Sequence, residues 1–168
     1  RKVLFTPSGD TPNKDMHHID KNIRYAMVEK AIEGNGHFMI SPIERDRQGP
    51  SYTVDTIRIL QREFGDDYEF YFICGTDAVA DLPTWKYNRE LLSACHFICA
   101  SRPGNEIEIQ KSIDYFGELG RKKIHFLKTP ELAISSTILR DWIAEKRSVR
   151  YLIPDAVIDM IRSNKLYE

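Results

Sequence analysis

Residues 70–86, FYFICGTDAVADLPTWK, are the stretch most informative about the fold. The run Phe70–Cys74 is apolar on both faces, as expected of a strand buried within a parallel sheet. Gly75–Asp77 turns the chain, and a short helix then extends to Leu82, where Pro83 ends it. A strand, a turn and a helix in this order form the first half of a β-α-β unit, which predicts a parallel strand after the helix.

The same alternation of strand and helix extends through the rest of the chain. The predicted strands are 3–5, 38–43, 70–74, 97–100 and 123–127. The predicted helices are 19–32, 54–64, 76–82, 88–92, 107–119, one from Ser135 or Ser136 to 146, and 154–163, with a polar loop at 44–51. These elements predict an α/β, Rossmann-like fold, with a mostly parallel sheet flanked by helices and a small C-terminal helical part.

Composition and length limit the classes of function. The 168 residues suit one domain over 1–168, with 136–168 as its C-terminal helical part. The formal charge of -1 argues against general nucleic-acid binding. The longest apolar runs are too short to span a membrane, and no signal peptide is visible. The oligomeric state is not determined by the sequence, and a homo-oligomer is compatible with it.

The three cysteines point to a reducing compartment. Cys74, Cys95 and Cys99 all lie in apolar runs that have the character of strands. Their number is odd and no CxxC pair occurs, so neither a disulfide framework nor a metal site is indicated. We expect reduced core residues in a cytoplasmic protein.

Polar and basic side chains gather where the predicted strands end. In a parallel sheet these ends meet at one edge, and ligands bind there. The residues singled out by this rule are Lys14 after the first strand, Tyr52 and Thr53 after the second, Gly75, Asp77 and Trp85 after the third, Arg102 after the fourth, and Ser135, Ser136, Thr137 and Arg140 after the fifth.

The segment from Ser135 to Arg140 has the physical features of an anion site. A helix start offers free N–H groups and the positive end of the helix dipole. Arg140 is four residues after Ser136, on the same face, and helical side chains lean toward the N-terminus. A plain helix cap with a solvated arginine explains the same residues, and the segment alone leaves both interpretations open.

The other candidates also have simpler explanations. Trp85 can stack on a flat heterocycle or anchor the core, and Asp77 can be an acid/base residue or a helix cap. Arg102 can pair with a phosphate or be a surface charge, and Lys14 is similar. The adjacent His17–His18 does not have metal-site geometry, so no metal-ligating residue is predicted.

Several segments together resemble a known family. They are Gly75–Ala78 with Leu82–Trp85, Gly49–Thr56, Arg102–Gly104, Ile134–Arg140, Tyr151–Asp155 and Leu166–Tyr167. They occur in order, at family-like spacing and over nearly the whole chain. In this combination the sequence resembles the bacterial nicotinate-nucleotide adenylyltransferases.

The resemblance implies transfer of the adenylyl group of ATP to nicotinate mononucleotide, giving deamido-NAD and pyrophosphate, with Mg²⁺ bound with ATP. It implies the following roles by position. Gly75 and Asp77 line the nucleotide cleft, and Ser135, Ser136, Thr137 and Arg140 hold the ATP phosphates, with Ser136 and Arg140 catalytic. Trp85 stacks on the nicotinate ring, Tyr52 and Thr53 hold its carboxylate, Arg102 lies near the mononucleotide phosphate, and Lys14 matches a substrate-binding family lysine.

The sequence departs from the family pattern at its start. The family begins with a strand, a glycine-containing turn and an HxGH motif whose histidines contact the ATP phosphates. This chain has no HxGH and no initiating methionine. We therefore expect the native protein to extend upstream of Arg1 by roughly 20–30 residues. Two alternatives remain open: a related adenylyltransferase with another phosphorylated acceptor, and a non-catalytic nucleotide-binding module that has lost HxGH.

Overall fold

The computed structural model of the protein describes residues 1–9, 19–101, 106–130 and 133–168. The chain forms two compact units. The first consists of Arg1–Ser51 with Ala133–Glu168, and the second is Tyr52–Leu132.

Strands and helices alternate along the chain, as the sequence pattern predicts. The strands are β1 Val3–Phe5, β2 Phe38–Ile40, β3 Tyr71–Gly75, β4 His96–Ser101 and β5 Ile124–Lys128. The helices are α1 Lys21–Ile32, α2 Ile43–Asp46, α3 Thr53–Phe64, α4 Thr76–Asp81, α5 Asn88–Ala94, α6 Glu106–Phe116, α7 Glu118–Lys123, α8 Ser136–Ala144 and α9 Asp155–Ser163, and a 3-10 turn at Leu82–Thr84 follows α4. Within the described ranges, no helix is long and apolar enough to cross a membrane.

The second unit is built on a three-stranded parallel sheet in the order β3-β4-β5. In its register Phe72 lies opposite Phe97, and Phe97 lies opposite Ile124. Helices α4 and α5 contact β4, and α7 contacts β5. Phe97, Val79 of α4 and Leu91 of α5 are fully buried. The core of this unit therefore lies between the sheet and these helices.

The first unit contains a two-stranded parallel sheet of β1 and β2. Val3 lies opposite Phe38 in its register. Helix α1 contacts β2, α2 and α9. Ile158 and Ile161 of α9 are buried, so the C-terminal helix contributes to the core of this unit.

The predicted fold class is confirmed, because all three strand pairs are parallel and helices flank them. The hydrogen bonds of the described residues divide the strands between two sheets. The single domain over 1–168 and its helical part at 136–168 stay predictions.

The polar loop predicted at 44–51 begins with helix α2, so that prediction was wrong at its start. The second strand ends at Ile40, before Pro42, which has no N–H group to donate to a sheet. The Ile43 N–H donates to Ser41 Oγ at 3.3 Å, which helps the chain turn into the helix.

The single helix predicted over 107–119 is two helices, α6 and α7. Gly117, with φ 63°, ends α6, and its N–H donates to the Ile113 carbonyl oxygen at 2.9 Å. A Cβ placed on Gly120 would lie 2.6 Å from that same oxygen. Glycine at position 120 therefore lets α7 pack closely on α6.

Strand β3 is not buried on both faces, although its apolar sequence predicts that it is. Tyr71 is 47% exposed and Ile73 is 56% exposed. The alternate residues Phe72 and Cys74 are the less exposed ones. An apolar run shows that both faces can be buried, but it does not show which face other elements cover.

The cysteines carry free thiols, as predicted. Burial raises the pKa of Cys74 and of Cys95 to about 12, and it also raises the pKa of Cys99. The thiols therefore stay protonated near neutral pH, which suits core residues and not nucleophiles.

Candidate functional site

The site residues predicted from the sequence fall into two clusters. The first unit contains Ser135, Ser136, Thr137 and Arg140, and the second contains Tyr52, Thr53, Gly75, Asp77 and Trp85. Lys14 and Arg102 lie outside the described residues.

The start of α8 presents hydrogen-bond donors to solvent. Ser135 is its N-cap, with extended backbone (φ -124°, ψ 156°), and Ser135 Oγ accepts a hydrogen bond from the Ile138 N–H at 3.2 Å. No acidic residue lies in the first turn, so no carboxylate of that turn offsets the positive end of the helix dipole. Ser136 and Thr137 are exposed beside the remaining N–H groups. This helix start can hold an anion.

Arg140 leans back toward the beginning of α8. Its Nη2 donates to Thr137 Oγ1 at 3.3 Å, and the residue is exposed. Within the described part of the chain Arg140 makes no ion pair, whereas Arg147 lies 3.3 Å from Glu145. The guanidinium charge therefore adds to the positive potential at the helix start.

The cap at Ser135 allows a prediction about stability. Replacing Ser135 by alanine removes the acceptor for the Ile138 N–H, so the free energy of unfolding should fall by about 1 kcal/mol. Chemical denaturation without nucleotide measures this. Ser136→Ala is the matched control, and its effect should stay within about 0.5 kcal/mol. Equal losses in the two variants would contradict the capping role.

The second unit brings Tyr52 next to the segment after Trp85. Lys86 Nζ lies 4.4 Å from the centroid of the Tyr52 ring and 5.3 Å from that of Tyr87. Tyr52 precedes Thr53, the first residue of α3. The start of α3 and the residue after Trp85 therefore lie close together.

Sequence reasoning missed Lys86. Its only signal was its position directly after Trp85, and the sequence contains many other lysines. Its relation to Tyr52 depends on tertiary structure, since the two residues belong to segments far apart in the chain.

Trp85 takes part in the core of the second unit. Its ring lies edge-on to Phe72, at 6.1 Å between centroids, and to Phe97, at 6.4 Å. The core-anchor interpretation is therefore supported. Trp85 is only partly buried, so part of its indole remains accessible for stacking.

Gly75 ends β3, and Asp77 lies in the first turn of α4. The predicted tight turn at Gly75 is not a glycine-only conformation, because its φ is -82°. A Cβ placed on Gly75 would meet no atom of the described residues within 4 Å. Asp77 lies where a carboxylate interacts favourably with the helix dipole.

Arg24 holds the residues that follow β1, and no sequence motif predicted this role. Its guanidinium donates to the Ser8 carbonyl oxygen at 2.7 Å and to the Gly9 carbonyl oxygen at 3.1 Å. A Cβ on Gly9 would lie 2.1 Å from the Glu44 carbonyl oxygen, so glycine is required there.

The described residues contain no group of three or more His, Cys, Asp or Glu side chains that could hold a metal ion. The thiol nearest the end of β3, Cys74, is held protonated by burial, which raises its pKa to about 12. The start of α8 offers N–H and hydroxyl donors and the Arg140 cation, which can position and neutralise an anionic ligand.

Comparison with protein families gives a match to the model described as Cytidylyltransferase-like, over residues 1–141. Among curated proteins, a probable nicotinate-nucleotide adenylyltransferase of Moorella thermoacetica is 42% identical over 169 residues, which is 99% of this chain and 78% of the relative. A probable nicotinate-nucleotide adenylyltransferase of Thermoanaerobacter sp. is 40% identical over 99% of this chain and 80% of the relative.

Among solved structures, the nicotinic acid mononucleotide adenylyltransferase of Plasmodium falciparum complexed with NaAD superposes with a TM-score of 0.74. The match covers 99% of this chain and 82% of that chain, at 19% sequence identity. At this identity the likeness shows the fold, which agrees with the parallel strands and flanking helices of this chain.

Proposed function

The chain belongs to the nicotinate-nucleotide adenylyltransferases of the cytidylyltransferase-like family, and from that premise we propose that it transfers the adenylyl group of ATP to nicotinate mononucleotide. The products are deamido-NAD and pyrophosphate, and the reaction is a step of NAD biosynthesis. The free thiols support a reducing compartment, so we infer that the protein works in the cytoplasm.

The chemistry needs positioning and charge neutralisation more than covalent catalysis. A phosphate oxygen of the mononucleotide attacks the α-phosphorus of ATP, a new P–O bond forms, and the bond to the bridging oxygen of pyrophosphate breaks. Bringing the two reactants together in line accounts for much of the rate. Donors already oriented toward the phosphates then stabilise the charge that develops on the leaving group.

The observation that carries this proposal is the start of α8. The hydroxyls of Ser136 and Thr137 and the N–H groups of the helix start lie there, together with Arg140, which makes no ion pair with a described residue. The first turn contains no acidic side chain. These groups supply the hydrogen-bond donors and the positive charge that bind a triphosphate. ATP is proposed to enter as its Mg²⁺ complex, with the metal carried on the phosphates as part of the substrate.

The mononucleotide is proposed to bind in the second unit. The accessible part of Trp85 stacks on the nicotinate ring, while Tyr52 and Thr53 hold its carboxylate. Gly75 and Asp77 line the nucleotide cleft. Arg102 near the mononucleotide phosphate and Lys14 in the loop after β1 complete the proposed substrate contacts.

A coupled assay of pyrophosphate release tests the function. Release should require both ATP and nicotinate mononucleotide. Faster release with a different phosphorylated acceptor would favour a related adenylyltransferase. Binding of ATP without any release, whichever acceptor is present, would favour a non-catalytic module.

Trp85→Ala should weaken binding of nicotinate mononucleotide by about 1–3 kcal/mol, by analogy with base–aromatic stacking. ATP binding should change less, because the triphosphate is proposed to bind at α8. Titration calorimetry with each ligand separately measures both effects. Trp85→Phe retains an aromatic face and should recover part of the loss. Equal losses for the two ligands would reject the stacking role and leave Trp85 as a core residue.

A further inference from the structure

Two cations and two tyrosines form a surface cluster in the second unit. Lys86 Nζ lies over the rings of Tyr52 and Tyr87, and the Arg58 guanidinium lies 5.5 Å from the Tyr87 centroid. A cation over an aromatic face is attracted by the ring quadrupole, which restrains a long flexible side chain. Lys86 is therefore directed toward Tyr52, although its residue is exposed.

The two cations differ in whether acidic side chains pair with them. Arg58 Nη1 lies 2.8 Å from Asp55 Oδ1, and Arg58 Nε donates to Glu90 Oε1 at 2.8 Å. These carboxylates neutralise Arg58. Lys86 makes no ion pair with an acid anywhere in the described ranges, so no described carboxylate offsets its positive charge or occupies its N–H donors.

The backbone around Lys86 is anchored on both sides. Trp85 packs on Phe97 and Phe72, and its N–H donates to the Leu82 carbonyl oxygen at 3.1 Å. On the other side, Tyr87 adopts a left-handed conformation (φ 54°) at the start of α5. Its carbonyl oxygen accepts a hydrogen bond from the Leu91 N–H at 2.9 Å. A restrained side chain on an anchored backbone is suited to recognising a ligand group at a defined position.

We propose that the Lys86 ammonium group selects a mononucleotide whose pyridine ring carries a carboxylate over one whose ring carries an uncharged amide. The inference rests on the proposed function, since it takes Tyr52 and Trp85 as neighbours of that ring. The two acceptors have nearly the same shape and differ by one negative charge. A cation beside the ring substituent attracts the carboxylate and gains much less from the amide.

The carboxylate takes no part in bond making, and its charge is the same in the bound substrate and in the transition state. Lys86 is therefore a specificity-determining residue whose loss should raise KM and leave kcat almost unchanged. Because the ammonium group is exposed, the preference should also weaken at high salt.

The test compares three variants of the protein: Lys86→Gln, Lys86→Arg and the control Lys111→Gln. Lys111 is an exposed lysine of α6. Titration calorimetry measures binding of nicotinate mononucleotide and nicotinamide mononucleotide. Pyrophosphate release at saturating ATP gives KM and kcat for each. Lys86→Gln should weaken binding of the nicotinate form about tenfold and that of the nicotinamide form less than about twofold. Lys86→Arg should retain most of the preference, and Lys111→Gln all of it.

Equal losses for the two mononucleotides in Lys86→Gln would overturn the inference, because a structural role of Lys86 predicts that result. An unchanged preference would also overturn it, as would a wild-type protein that binds neither mononucleotide. If wild type binds nicotinate mononucleotide without releasing pyrophosphate, the proposed function fails. The calorimetric comparison then still decides the role of Lys86.

Discussion

Arg140→Ala is expected to lower kcat/KM for ATP by an amount equivalent to about 2–4 kcal/mol of transition-state stabilisation. Arg140 lies at the positive end of α8, leans toward Thr137 and makes no ion pair in the described part of the chain. Its guanidinium is proposed to gain interaction energy as charge develops on the departing pyrophosphate. The loss should therefore appear in kcat as well as in kcat/KM.

Two further variants separate geometry from charge at this position. Arg140→Lys keeps the charge but lacks the planar pair of donors, so it should recover only part of the lost rate. Arg162→Ala removes an exposed arginine from α9 and should leave kcat/KM within about twofold of wild type. Pyrophosphate release at a saturating concentration of the mononucleotide measures all three. If kcat/KM is unchanged in Arg140→Ala, Arg140 is a solvated surface residue of its helix and does not contribute to the reaction.

Phe97→Ala is expected to lower the free energy of unfolding by about 3–5 kcal/mol. Phe97 lies on β4, the central strand of its sheet, and has no exposed surface. Its ring lies 5.1 Å from that of Phe72 and 6.4 Å from that of Trp85, measured between centroids. Truncation removes these contacts and leaves a cavity that a close-packed core closes only in part.

Ile73→Thr is the matched control for Phe97→Ala. Ile73 lies on the neighbouring strand β3, is 56% exposed, and threonine keeps the branched side chain that strands favour. Its effect should stay below about 1 kcal/mol. Urea denaturation followed by tryptophan fluorescence measures both variants. A loss for Phe97→Ala no larger than that for Ile73→Thr would contradict the assignment of this core.

The order and type of the elements could be predicted from the sequence because their signals are local. Apolar spacing along 54–64 predicts helix α3, and Gly65 stops it with a positive φ of 78°. Ser135 was one of two predicted caps of α8, and in the structure its Oγ accepts a hydrogen bond from the Ile138 N–H. Each of these features depends on residues within about one helical turn.

Where the sequence prediction was wrong, contacts that reach beyond one helical turn decided the structure. The division of residues 106–123 into two helices places Gly120 against the carbonyl oxygen of Ile113. Asn88 is the first residue of α5, and its amide donates to the Pro83 carbonyl oxygen at 2.6 Å. The exposure of one face of β3 likewise depends on where other elements pack.

For the candidate site, the chemical types at the strand ends could be predicted from the amino-acid sequence: hydroxyls and an arginine at α8, and a tryptophan after β3. They could be predicted because parallel strands end at one edge of a sheet and ligands bind there. The packing of Trp85 on Phe97 and the position of Lys86 over Tyr52 became visible in the folded structure. Such pairings join residues far apart in the chain, and no local spacing encodes them, because they arise only when separate elements pack together.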